Sequence, residues 1–173
     1  RLAFASNRDG MWDLYLLNLE SGQIQRLTNT AAYDGSPSWS PDGQWLAYES
    51  YIVEQPTSAE LTATPTLPSP NLPGVTPTSA PPHQSLEIFI RPADPASSQL
   101  PIRLTHHDAS DYAPAWSPSG RLIAFVSNRS GDDEIWIADL DRVDERFSNL
   151  SRSPRARDRF PACAVGSCGS DRW

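Results

Sequence analysis

Short apolar runs recur along the chain, each closed off by a cluster of proline, aspartate, asparagine, serine or glycine. One set occupies residues 2–6, 45–50 and 122–127. A second set begins with an acid and continues with three apolar residues: Asp13-Leu14-Tyr15-Leu16, Glu87-Ile88-Phe89-Ile90 and Glu134-Ile135-Trp136-Ile137. A third set covers residues 24–28, 102–105 and 147–151. Runs this short, without a helical period and with a turn signal every few residues, predict antiparallel strands and an all-β fold.

The punctuation also repeats. Ser40-Pro41-Asp42-Gly43 and Ser117-Pro118-Ser119-Gly120 each place proline where φ must be near −65° and glycine where the turn ends left-handed. Asn7-Arg8-Asp9-Gly10 and Asn128-Arg129-Ser130-Gly131 predict tight hairpins with glycine at positive φ. Trp39 and Trp116 stand two residues before Pro41 and Pro118, where large apolar rings would fill the space between adjacent sheets. Self-similarity at a spacing of roughly 40–45 residues marks propeller blades, each a small antiparallel sheet.

The co-occurrence of Pro-x-Trp-Ser-Pro-Asp-Gly, Ala-Phe-x-Ser-Asn-Arg-x-Gly, the acid-led trio and Leu-Thr resembles the TolB-type, or WD-like, β-propeller repeat. The resemblance covers residues 1–51 and 84–162, with Trp39, Pro41, Gly43, Trp116, Pro118 and Gly120 as its structural signature. It implies a partial propeller: an open arc of about three four-stranded blades from a ring of six or seven. The repeats supply the outer three strands of one blade, two complete blades, and the first strand of a fourth at 160–165. The expectation is therefore a fragment of a longer product. In the tail, residues 163–173, Cys163 stands where a third tryptophan belongs. Residues 52–83 interrupt the second repeat with a Pro/Thr/Ser-rich insertion whose heart, 56–82, carries one charge, Glu60, and no aromatic residue. Such a stretch buries too little apolar surface to offset its ordering entropy and is expected as a disordered or polyproline-like loop at the blade periphery.

A net charge of −7, with 14 basic residues that are all arginine, argues against a nucleic-acid or anionic-membrane surface. No run is long and apolar enough for a membrane helix. Neither a nucleophile elbow, a zinc-protease helix nor a phosphate loop is present, so no catalytic set, no metal site and no cofactor are expected. The site-like positions are Asp34, Asp111 and Asp158, each three residues before the proline opening a blade's first strand, with His106 and His107 in one of the same loops. Two readings stand: an acidic rim at the channel mouth, or aspartates capping their turns through backbone N–H groups. The acids Asp13, Glu87 and Glu134 are expected to bridge to Arg8 and Arg129 of the preceding hairpins. The resulting expectation is a non-catalytic scaffold for a protein or peptide partner, in a periplasmic or extracellular compartment of a bacterium. The alternative is the substrate-gating propeller of a prolyl-oligopeptidase-like serine peptidase whose catalytic domain lies elsewhere.

Overall fold

A computed structural model of the chain describes residues 1–51, 85–142, 144–152 and 157–162. The insertion at 52–83 and the tail at 163–173, with Cys163 and Cys168, lie outside these. Eleven strands and no helix make up the described residues. They are β1 (Leu2–Ser6), β2 (Asp13–Leu17), β3 (Ile24–Arg26), β4 (Asp34–Trp39), β5 (Trp45–Tyr51), β6 (Leu86–Pro92), β7 (Ile102–Arg103), β8 (Asp111–Trp116), β9 (Leu122–Ser127), β10 (Glu134–Asp139) and β11 (Phe147–Asn149).

They pair antiparallel into three sheets, ordered β1-β2-β3, β4-β5-β6-β7 and β8-β9-β10-β11. The fold is all-β, a partial propeller of one three-stranded and two four-stranded blades that does not close. The strand expected at 160–165 is not formed over 157–162, which is irregular; its remainder lies outside the described residues.

Side-chain alternation accounts for the stacking. Leu46 and Tyr48 of β5 pack toward the first blade with Leu14, Leu16 and Leu27. Their neighbour Ala47 points the other way, with Ile88, into a cluster with Ile123 and Phe125 of the third blade. The middle sheet is thus buried on both faces, which is why its strands read as continuous apolar runs. Trp39 packs against the first cluster and Trp116 against the second.

The turns follow the residues that specify them. Gly43 N–H donates to Ser40 O at 2.9 Å and Gly120 N–H to Ser117 O at 3.0 Å, with φ of 67° and 79°. Buried Ser40 and Ser117 accept from Trp45 N–H and Leu122 N–H, locking each turn to the next strand. Ser36, Ala113 and Phe160 share one repeat position and all adopt positive φ, 48°, 50° and 55°. Each precedes a proline, Pro37, Pro114 or Pro161. In β4 and β8 this residue makes a bulge, and the register against β5 and β9 shifts there. The repetition of a costly conformation marks it as part of the blade design.

Candidate binding edge

β4 and β8 run from an edge formed by the entry loops 29–33 and 106–110 to an edge formed by the Ser-Pro-x-Gly turns. The entry loops are held from below by the acids at the start of β2, β6 and β10. Asp13 pairs with Arg26, accepts from Thr28 Oγ1 at 3.2 Å and receives Thr30 N–H at 3.4 Å. Glu87 repeats the arrangement with Arg103 at 2.9 Å, Thr105, and His107 N–H at 3.1 Å. Glu134, at the same repeat position, accepts from Asn149 Nδ2 and Ser130 Oγ. Meanwhile Thr28, Thr105 and Ser151 accept the N–H of Leu14, Ile88 and Ile135 at 2.9, 2.9 and 3.0 Å.

This corrects the expected partners. The hairpin arginines do not reach Asp13 or Glu87. Arg8 lies 5.0 Å from the Phe4 ring centre and 4.7 Å from that of Tyr15. Arg129 stacks on Trp136 and Phe147 and bonds Asp111 at 2.6 Å. A guanidinium on a short hairpin covers the aromatic positions of its own blade more readily than it crosses to the strand base.

The acidic-rim placement also needs correction for two of its three members. Asp34 and Asp111 open β4 and β8 and are only 1% and 0% exposed. Neither uses its carboxylate as a backbone cap. Asp34 accepts the Thr30 hydroxyl at 3.1 Å, and burial raises its pKa above the ordinary value against the lowering effect of the nearby Ser50, Thr28 and Thr30 side chains. Asp111 takes Arg129, while its Oδ1 has no hydrogen-bond partner. Asp158 is half-buried, and its N–H donates to Asp133 O at 2.8 Å, as Asp34 N–H donates to Trp12 O at 2.9 Å. His106 and His107 are both exposed but diverge. His106 faces an outer cleft with Arg103, Glu145 and Phe147, whereas His107 Nδ1 accepts Ala109 N–H at 3.0 Å.

What the edge does gather is aromatic. Trp12 and Tyr33 stand 6.5 Å apart between ring centres, and Tyr33 meets Tyr51 edge-on at 5.8 Å. Trp12 is 45% and Tyr51 38% exposed, with Met11 beside Trp12 in the chain at 47%. Tyr33 lies across Gly35 so closely that a Cβ there would sit 2.2 Å from its hydroxyl. That hydroxyl donates to Glu49 at 2.9 Å, and burial together with the Glu49 carboxylate pushes the Tyr33 pKa up to about 12. Glu49 also receives Ala113 N–H of the next blade at 2.7 Å.

Repeat alignment could have exposed this cluster. Trp12, Tyr33 and Tyr51 stand where another repeat has Asp133, Ser110 and Asn128, so three aromatics leave the consensus at one edge. Tyr51 is also the described flank of the insertion, and its N–H donates to Tyr33 O at 3.2 Å. Leu86, near the other flank, donates its N–H to Ser110 Oγ at 3.4 Å. Both flanks of the insertion thus adjoin the entry loops.

No family model matches the sequence. The "Protein TolB homolog" of Chlorobium luteolum is 28% identical over 151 residues, covering 80% of this chain and 34% of that protein. The "Tol-Pal system protein TolB" of Bordetella pertussis is 29% identical over 156 residues, covering 83% and 36%. Among solved structures, the putative TolB from Agrobacterium tumefaciens superposes with a TM-score of 0.62 at 25% identity, over 92% of this chain and 44% of that one. In both sequence and fold the chain is TolB-like. It spans about a third of the length of these curated TolB relatives. The TolB-like register covers the blades described above, and the aromatic cluster is set on its loop edge.

Proposed function

We propose that this TolB-like array is a non-catalytic scaffold that binds a protein or peptide at its loop edge, in a periplasmic or extracellular compartment. The carrying observation is the cluster of exposed Trp12 and Tyr51 around half-buried Tyr33, beside exposed Met11. Aromatic and methionine side chains are enriched where surfaces form interfaces, and few residues dominate binding there. His106, His107 and Asp158 supply polar rim positions, while buried Asp34 and Asp111 brace the edge from within. One relative is named as a Tol-Pal system protein, so the Pal component of such a system is the first partner to test.

Calorimetric titration of the chain with soluble Pal gives the test. Trp12→Ala and Tyr51→Ala should each weaken binding at least about ten-fold, an effect of about 1.4 kcal/mol or more. Binding left unchanged by both variants overturns the assignment of the edge. The rival, a peptidase's gating propeller, requires a serine-hydrolase domain in the same polypeptide, and finding one there would replace the scaffold reading.

A further inference from the structure

The opposite edge carries a cleft of about 500 Å³ between the second and third blades. Trp45 and Trp116 line it, with Ile90, Ile102 and Leu140 as apolar wall. Asp42 stands at its rim, exposed. The fold itself contains the corresponding groove one blade earlier, and there it is filled. The Arg1 guanidinium lies 5.2 Å from the Trp39 ring centre and donates to Gly43 O at 3.0 Å and Ala93 O at 3.3 Å.

The repeat maps one groove onto the other: Trp39 corresponds to Trp116, Gly43 to Gly120 and Ala93 to Leu140. All three counterparts line the second cleft. The position corresponding to Arg1 is Trp45, so the second groove loses its internal cation and gains a second indole wall.

We propose that the cleft between Trp45 and Trp116 receives an arginine side chain from a partner polypeptide. A planar guanidinium suits an indole face, and its methylene stem suits Ile90, Ile102 and Leu140. Gly120 O already accepts Trp116 Nε1–H at 2.9 Å and keeps a second lone pair for a donor. Asp42 adds a carboxylate that the Ser40 hydroxyl and Gln44 N–H hold below its ordinary pKa. The chain's net charge of −7 favours a cationic visitor over an anionic one. Arg121 of the third blade does not compete for this role, because it is engaged with Asp139 at 2.7 Å. The site is independent of the loop edge.

The full chain, with its indoles labelled with ¹⁵N, is titrated with the capped peptide Gly-Ser-Arg-Ser-Gly and with its neutral twin carrying citrulline. The arginine peptide should shift the indole signals of Trp45 and Trp116, and the citrulline peptide should bind about five-fold more weakly. Asp42→Asn, at an exposed position, should weaken the arginine peptide about three-fold without altering the fold. Arg1→Ala should empty the first groove, so that the Trp39 indole responds to the same peptide. Equal response to both peptides, or silent Trp45 and Trp116 indoles, overturns the proposal, and a silent Trp39 in Arg1→Ala overturns the equivalence behind it. Trp12→Ala and Tyr51→Ala should leave this titration unchanged, so failure at one edge is distinguishable from failure at the other.

Discussion

Asp34 and Asp111 occupy the same repeat position, both buried, and meet the cost of burial differently. Asp111 has the guanidinium of Arg129, delivered by the Asn-Arg-x-Gly hairpin. Asp34 belongs to the repeat in which that hairpin is replaced by the insertion, and it relies on hydroxyls. Its raised pKa sets the sign of a pH effect. The folded chain holds the proton more tightly than the unfolded one, so this contribution is complete below the unfolded carboxyl value near ~4. It is lost as pH rises through the folded value. Asp34→Asn should therefore stabilise the chain at pH ~7 by about 1 kcal/mol and bring no gain near pH ~4, as read by thermal melting at both. The alignment of the two aspartates was legible in the sequence. Their burial was not, because it depends on which side chains the neighbouring strands place around them.

At the scale of the element, the strands and turns were the most legible part. Proline and glycine restrict φ locally, so Ser-Pro-Asp-Gly needs no tertiary context to turn. A Cβ on Gly43 would meet nothing within 4 Å, yet its φ is 67°. Gly43→Ala should thus cost about 1 kcal/mol in urea denaturation through backbone conformation alone. The last strand of the second blade, expected over residues 102–105, ends at Arg103, because Leu104 and Thr105 both turn their N–H to Ile88 O. The bulges at Ser36 and Ala113 carry no local signal, since neither serine nor alanine favours positive φ. At the β8 bulge the Ala113 N–H reaches across to Glu49 of the preceding blade at 2.7 Å, a contact between blades that no local sequence shows. The acid–arginine pairs Asp13–Arg26 and Glu87–Arg103 were likewise hidden, because each joins adjacent strands across more than a dozen residues.

Across the whole molecule, the blades are joined by few but specific polar contacts laid over apolar packing. Glu49 is the clearest of them: 6% exposed, it accepts Tyr33 of its own blade and Ala113 N–H of the next. Arg91 makes a comparable reach to Leu27 O of the first blade, and burial lowers its pKa. Glu49→Ala should cost about 1 kcal/mol by leaving the half-buried Ala113 N–H and Tyr33 hydroxyl without their acceptor. Glu49→Gln should bring the Tyr33 pKa down from about 12, measured on the ¹³C-labelled tyrosine ring. Because that pKa is raised, Tyr33 contributes fully below the unfolded phenol value near ~10, and the contribution fades as pH climbs through about 12.

The sequence by itself determined the strands, the turns and the blade spacing, because each is written in short-range restrictions on φ and in apolar alternation that stacked sheets must satisfy. Tertiary structure alone decided which groups face solvent. It buried two of the aligned aspartates, brought Trp12, Tyr33 and Tyr51 to one edge, and left the groove beside Trp116 open where Arg1 fills its counterpart. The physical reason is that exposure depends on how neighbouring blades pack, and residues at equivalent repeat positions have different neighbours.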